Sequence, residues 1–590
     1  MDIEDTIEAK PSSTILHRFV KDLVTWNPSI KTKESLTSAL ILLRRKYKIS
    51  PSKFQMCTAY KELLESNKIP ANPIVSRMLI TKAIRSDSGI VNISVSLPPD
   101  KFSCKYNCHF CPNEPGMPRS YLSNEDVFKR AAEVDFNTVL QVYNRFDVLK
   151  ANGHPIDKIE YRVLGGTFSC YGHDIADEFV RDLFYAANTY YDSRDRTKGT
   201  IEDEQHINTT AKVHVVGLGI ETRPDEINLK EIVRFRRYGV TRVELGVQHT
   251  DDALLRHVNR GHSTKHSKQA IKMLKDYGFK LELHIMADLP GATPEGDMDC
   301  YRQVLRDDPD LIPDYMKDYP CLDVSFTRVK EWKEQGLWKP YSEDTPDARD
   351  LINVLIYRQK ITPKWVRVNR IQRDFKEVKD LPGHHIGFTS PSMKSNLAQI
   401  VKHEAEAQGV YCQCIRCCEV RDEPFTADEV QYVIATFPAS GGTEYFISAE
   451  VPRANRNLML GFCRLRISKA LEDSIIPELK GQTAMIRELH VYGKVVEVGS
   501  QAEKGLSQHL GIGKKLLKAA EEIAAKHNTT QIAVISGIGV RDYYKKRGYT
   551  LTGTYMIKQI PPRSYKWIIL IVALIAILIQ ITLLKFSYKI

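Results

Sequence analysis

Three thiols mark where this chain could do chemistry. Cys104, Cys108 and Cys111 stand at spacing C-x3-C-x2-C in KFSCKYNCHFCPNEP, residues 101–115. Thiolates are the usual ligands of iron–sulfur clusters. Three of them hold three irons of a four-iron cluster and leave the fourth open to a non-protein ligand. The amino and carboxylate groups of S-adenosylmethionine (SAM) can chelate that iron. A zinc loop would call for a fourth ligand, and no further thiol stands nearby. Phe110, beside the last thiol, can shield a cluster and touch an adenine.

A second group follows much later. YCQCIRCCEV, residues 411–420, brings Cys412, Cys414 and Cys417 together. A structural zinc that staples two domains is the simplest reading, with Cys418, His403 or water as the fourth ligand. Seven of the chain's 12 cysteines fall in these two groups. That pattern reads as metal binding in a reducing compartment and excludes a disulfide scaffold. The start, MDIEDTIEAKPSS, is acidic and polar, so no signal peptide is expected.

At 590 residues the chain is too long for one core. From residue 91 apolar strands alternate with amphipathic helices. VNISVSL delivers the cysteine loop. KIEYRVLGGTFS (158–169), VHVVGLGIETRPD (213–225), VTRVELGVQH (240–249) and FKLELHIMADLPG (279–291) read as further strands, and LDVSF and WVRVNRIQR as two more. Near-continuous apolar strands between helices predict a parallel sheet covered on both faces. About six such units predict an α/β fold of the partial (βα) barrel type, with chemistry at the strand C-termini. The candidate residues fall there: the cysteine loop, Gly165 and Gly166, Glu221 and Arg223, Gln248 and His249, Asp288 and Pro290. Gly165–Gly166 lets bare backbone approach a small ligand, read here as the SAM amino group.

Beyond residue 425 the texture turns antiparallel. EYFISAE, LMLGFCRLRI and TAMIRELHVYGKVVEV read as strands. In QHLGIGKKLLKAAEEIAAKHN, Gln508, Gly511 and Gly513 fit the pattern of a pyrophosphate loop at a helix N-terminus. The element order predicts an acetyl-CoA-binding α/β domain of the GNAT type. Tyr543 or Tyr544 would then lie near the thioester as an acid or a water-positioning group.

The charge is uneven. Residues 31–90 hold 12 Lys/Arg against 4 Asp/Glu, with Tyr47, Phe54 and Tyr60 among them. Such a segment suits a nucleic-acid backbone. At the far end, residues 567–584 carry no charge, and a helix of that length spans about 27 Å. With Arg563, Lys566, Lys585 and Lys589 flanking it, this stretch predicts a C-terminal transmembrane helix, hence a tail anchor with the rest facing the cytosol. The mitochondrial outer membrane is favoured over the endoplasmic reticulum.

A cluster loop and a GNAT-like half in one chain closely resemble the catalytic subunits of Elongator, a family of radical SAM enzymes that modify tRNA wobble uridines. The resemblance covers about residues 34–560. It is carried by PPDKFSCKYNCHFCPNEP, DKIEYRVLGGTFS, GIETRPD, VTRVELGVQ, DLPGATPEGD, KPYSED, CQCIRCCEV, RELHVYG, QHLGIG and VISGIGVRDYYKKRGY. It implies a 4Fe-4S cluster on Cys104, Cys108 and Cys111, and formation of 5-carboxymethyluridine from uridine, SAM, acetyl-CoA and water. A SAM-derived radical would take hydrogen from the acetyl methyl group, the carbon radical would add to uracil C5, and thioester hydrolysis would follow. It implies acetyl-CoA contacts from Lys158, from Glu488, Leu489, His490 and Val491, from Ile512, Gly513 and Lys514, and from Tyr544. It makes the basic N-terminal segment a tRNA-binding arm. An electron donor and other Elongator-type subunits are the further partners it implies. The chain departs from the family at the shorter first cysteine gap, at Ala287 where proline is common, at Cys418 where arginine is usual, and in its apolar tail.

The expected organisation is a tRNA-binding segment (1–90), a radical SAM domain (91–400), a zinc-binding linker (401–424), a GNAT domain (425–560) and a tail anchor (561–590). A protein lysine acetyltransferase with a structural cluster is the alternative. A binding protein with a dead site is disfavoured by the intact cysteine triad, Gly-Gly turn and tyrosine pair.

Overall fold

The computed structural model describes residues 13–25, 33–372, 396–492 and 511–561, with short breaks at 83–84, 87, 102–103, 193–194 and 422, together with 573–577 and 579. Two seven-stranded sheets organise these residues.

The first sheet holds β1 (Val91–Ser96), β2 (Lys158–Leu164), β3 (His214–Thr222), β4 (Arg242–Gln248), β5 (Lys280–Ile285), β6 (Tyr315–Asp318) and β7 (Arg367–Ile371). All neighbours are parallel and follow chain order, with helices in the crossovers, which is the topology of an incomplete (βα) barrel. The strands are not apolar throughout, as the sequence suggests. They alternate. Ile159, Tyr161, Val163, Val243, Leu245, Leu281 and Leu283 join the main apolar core, while the intervening Glu160, Arg162, Arg242, Glu244 and Glu282 belong to one network of ion pairs. Successive strand side chains point to opposite faces, so a two-residue period of this kind separates an apolar face from a charged lumen.

LDVSF is not a strand. Residues 322–326 form a loop in which Leu322 and Val324 pack against Leu122, and Phe326 takes a left-handed φ of 63°. The strand lies earlier, at β6. The first 30 residues, which showed no strong pattern, include a helix over Ser13–Thr25. Phe19, Val20, Leu23 and Val24 bury one face of it against the helices Lys33–Tyr47 and Lys53–Glu65.

The second sheet holds β8 (Gln431–Ala439), β9 (Gly442–Val451), β10 (Leu458–Ile467), β11 (Thr483–Val491), β12 (Gln531–Val534), β13 (Thr550–Thr552) and β14 (Tyr555–Gln559), in the order β13-β14-β12-β11-β10-β9-β8. Only β11 and β12 pair in parallel, and the helix Ile512–Lys526 crosses between them. The edge strand β8 escapes the sequence reading because it is largely exposed and contains Pro438, which only an edge tolerates. Register breaks opposite Arg464, where β11 carries Arg487 as an extra residue. Such a bulge re-aims a side chain, and Arg487 reaches across to Asp314, just before β6.

The expected tail anchor is corrected. Among the described residues no helix is long and apolar enough to cross a membrane. Most of 567–584 lies outside the described residues; Leu574, Ile575, Ile577 and Ile579 are described, and they are exposed. The membrane assignment and the organelle location drawn from it therefore fall.

Candidate active site

The cysteine loop leaves the C-terminal end of β1 and is pinned to the mouth of the barrel by backbone bonds. His109 N donates to Val258 O at 3.0 Å, and Asn113 N donates to Phe326 O at 3.0 Å. Cys108 is buried. Its sulfur receives two guanidinium donors, Arg223 Nη1 at 3.3 Å and Arg260 Nη1 at 3.4 Å. Two guanidinium groups thus converge on one buried sulfur. Arg223 is fixed in turn by Asp225 at 3.0 Å and by stacking at 3.4 Å over the Tyr106 ring. The thiols of Cys104 and Cys170 are hydrogen-bonded, and this bond holds Cys104 below its ordinary range, at about 6. Arg260 and Cys170 are contacts the sequence reading missed. Cys170 lies only four residues past the Gly-Gly turn, whereas Arg260 reaches the loop only through the fold.

Gly165 (φ 140°) and Gly166 (φ 81°) end β2 in conformations that other residues avoid. A Cβ on Gly165 would stand 3.0 Å from Tyr171 Oη. Gln248, at the end of β4, takes a positive φ of 73°. A cavity of about 700 Å³ opens at this end, and Phe110, Cys111, Tyr121, Glu221, Gln248 and His284 are among its lining residues.

The lumen beside it is filled by ion pairs, and Arg162 and Lys317 of that network line the cavity itself. Arg162 bridges Glu244 and Glu282, the latter at 3.1 Å, and Arg242 meets Glu160 at 2.9 Å. Glu244 also takes His284 Nε2 at 3.1 Å and the Lys317 ammonium. Burial works against its charge, yet Lys317 and Arg162 hold its carboxyl well below the usual range. Glu221 goes the other way: burial and then the neighbouring Glu244 raise it. Glu221, Glu244 and His284 bring ligand atoms within 4.8 Å of one another. Lys317 already supplies a cation there.

Beside the mouth, Asp288 accepts backbone N–H donors from Tyr341 (2.8 Å) and Ser342 (3.3 Å). His249 and Tyr341 both bond Asp297, at 3.2 and 2.7 Å. Burial, with help from Asp297, pushes Asp288 up to about 7. A carboxyl raised from about 3.9 when unfolded binds its proton more tightly in the fold. Its stabilising contribution is complete below about pH 4 and is lost as pH rises through about 7. Thermal melts should therefore show Asp288→Asn gaining on wild type by about 2–4 kcal/mol between pH 5 and pH 8. An unchanged difference would remove Asp288 as the source.

The second sheet docks at the opposite end of the barrel. A Cβ on Gly539 would stand 2.7 Å from His214 Cβ, and one on Gly537 would strike Val216 O. Lys158 opens β2 in register with His214, so it lies at this end, far from the thiols. Tyr543 and Tyr544 follow on the helix Arg541–Lys545, their rings 5.2 Å apart. Tyr543 Oη would stand 2.8 Å from a Cβ on Gly513, in the first turn of the helix Ile512–Lys526. Gly511 (φ 67°) caps that helix, and Lys514 follows in its first turn. Gln508 lies outside the described residues. On β11, Glu488 faces the lumen floor, taking Arg464 at 3.0 Å and the Tyr315 hydroxyl. Leu489 and Val491 pack toward the core of the second sheet. His490 stacks on Phe462, and its buried Nε2 has no partner among the described residues. Cys412, Cys414 and Cys417 bring their sulfurs within 4.8 Å of one another, between the sheets. Cys418 instead donates to Gln413 O at 3.4 Å.

Comparison with known proteins identifies relatives. The radical SAM superfamily profile matches residues 102–302. The chain is 35% identical over 515 residues to a "tRNA uridine(34) acetyltransferase" of Methanocaldococcus infernus, covering 85% of this chain and 91% of that protein. It is 33% identical over 499 residues to human "Elongator complex protein 3", covering 82% and 86%. The solved structure of an N-terminally truncated Elp3 from M. infernus superposes with TM-score 0.67 at 34% identity, covering 80% of this chain and 99% of that one.

The chain belongs to this family. Its first sheet is a radical SAM half-barrel, and a radical SAM domain implies a four-iron cluster and SAM. The donor set fits: the three thiols are free, and one carries two guanidinium donors.

Proposed function

We propose that this protein modifies the wobble uridine of tRNA, forming 5-carboxymethyluridine from uridine, SAM, acetyl-CoA and water. The observation that carries the reading is the two-ended barrel. A thiol loop lining a cavity lies at one mouth, and a second sheet with a tyrosine pair and a histidine whose buried Nε2 has no partner among the described residues lies at the other. The names of the relatives, "tRNA uridine(34) acetyltransferase" and "Elongator complex protein 3", support the substrate and the assignment to radical SAM acyltransferases.

In this reading Cys104, Cys108 and Cys111 hold the cluster, and the Gly165–Gly166 backbone receives the SAM amino group. The cluster and SAM, when bound, supply one-electron chemistry able to take hydrogen from an unactivated methyl group. The chain's own residues do the rest. Arg223 and Arg260 donate to the Cys108 sulfur and fix its position. Phe110 covers the open side. The second sheet is a GNAT acetyl-CoA domain. The backbone of Glu488–Val491 and the His490 ring line the pantetheine, the helix start at Gly511–Lys514 takes the pyrophosphate, and Lys158 adds a positive charge. Tyr544, buried and pushed well above its usual range, stays protonated and can donate a hydrogen bond near the thioester, with Tyr543 beside it. Cys412, Cys414 and Cys417 suit a structural zinc between the two halves. The segment before residue 91 is the tRNA-binding arm.

The test is reconstitution. Protein loaded with iron and sulfide, given reductant, SAM, acetyl-CoA and tRNA, should yield 5-carboxymethyluridine by nucleoside mass spectrometry. Acetylated lysine without modified uridine would establish the acetyltransferase alternative instead.

A further inference from the structure

One wall of the cavity carries three cations that no ion pair among the described residues answers. Arg85, Arg130 and Arg145 all line it. Arg130 lies in the last turn of the helix Asp126–Ala132, and Arg145 lies in the helix Thr138–Ala151. Arg85 is exposed, and the other two are half-buried. Among the described residues none of the three makes an ion pair, although Asp126 and Glu133 act on Arg130 from a distance. Burial, then repulsion from Arg130 and Arg85, depresses the Arg145 guanidinium to about 10. Arginines are rarely left half-buried and mutually repelling without a counter-charge, because desolvating a cation is costly. The missing partner is an anion with several acceptor oxygens, which a guanidinium fork can hold in two places.

We propose that Arg85, Arg130 and Arg145 form a clamp for a backbone phosphodiester of the RNA substrate, on one wall of the cavity that receives the base. The inference rests on the tRNA reading above and adds to it a seat for the strand. Cys111 and Phe110 line the same cavity. A phosphate gripped on this wall holds the attached nucleotide in the cavity, so the clamp sets which base reaches the thiol loop. An RNA phosphate is favoured over those of coenzyme A, because none of the described residues proposed above for acetyl-CoA lines this cavity.

The test uses the full-length protein and a fluorescent anticodon stem-loop RNA. Arg85→Gln, at an exposed position, and Arg145→Gln should each weaken binding by roughly tenfold, the cost of one charge-assisted phosphate interaction. The slope of log affinity against log salt should fall by about 0.7–0.9 for each phosphate no longer neutralised. Arg145→Lys, which keeps the charge, should retain the slope. Neutral methylphosphonate linkages walked along the RNA should weaken wild-type binding at one position and leave Arg85→Gln indifferent there. If no single linkage erases the difference between wild type and variant, or the salt slope does not change, the clamp is wrong. If the variants lose acetyl-CoA affinity and keep RNA affinity, the site belongs to coenzyme A and the clamp is again wrong. If wild type itself ignores the RNA, the tRNA reading fails and the clamp falls with it.

Discussion

Replacing Cys108 with alanine is expected to abolish iron loading and uridine modification together while leaving acetyl-CoA binding unchanged. Cys108 is the most enclosed of the three loop thiols, and both Arg223 and Arg260 aim at its sulfur. Removing it takes away one of the three thiols and leaves two buried guanidinium groups facing a methyl group. Arg223→Gln is the milder case: the thiols remain and one guanidinium donor to Cys108 is gone. Supporting residues around metal ligands are worth about 10–100-fold in affinity, so cluster retention should fall by that order, with modification following it. Iron and sulfide content after reconstitution, visible absorbance and nucleoside mass spectrometry read the two variants side by side. The second sheet sits at the other end of the barrel, so calorimetric titration with acetyl-CoA provides the control. A Cys108→Ala protein that loads iron normally, or one that loses acetyl-CoA binding as well, would break the two-ended assignment.

The thiol loop is legible in the sequence because its pattern is local: three thiols within eight residues need no fold to be seen together. The strand-end positions of Glu221, Arg223 and Gln248 are legible for the same reason, since each closes an apolar run. The lumen is not. Glu160, Arg162, Arg242, Glu244 and Glu282 stand among apolar residues in runs that read as uniformly buried. Their pairing depends on strands whose residues stand up to 120 positions apart in the chain, as Arg162 and Glu282 do. Arg260 is invisible for a related cause: it follows β4 by 12 residues and reaches Cys108 only once the barrel closes. The apolar tail shows the opposite failure, where composition alone suggests a membrane span that no described helix provides.

The second large effect is expected at the junction of the two sheets. Asp314 precedes β6, and its carboxylate accepts Leu281 N at 2.8 Å from the barrel and Arg487 Nη1 at 2.9 Å from β11. Glu444 on β9 meets the same Arg487 at 3.1 Å, and Lys275 lies 3.8 and 3.7 Å from the two carboxylates. All four side chains are buried. Asp314→Ala leaves Arg487 and Arg464 in that environment without their shared anion, and breaking a buried pair in this way costs about 3–5 kcal/mol. For a chain held together across this junction, the loss should appear first as separation of the sheets: faster proteolysis between residues 425 and 490 and a lower, broader melting transition. Replacing Asp314 and Arg487 together by apolar residues should be markedly less damaging than Asp314→Ala, because no charge is stranded. The pH dependence follows in sign. Burial opposes their ionisation, yet Arg487 and Lys275 hold Asp314 and Glu444 below the ordinary carboxyl range. Their contribution is therefore present above about pH 4 and drains away as pH falls further. Wild type should lose this margin on acidification and Asp314→Ala should have little left to lose. Equal acid sensitivity of the two would place the docking energy in the apolar contacts between the sheets instead of in this network.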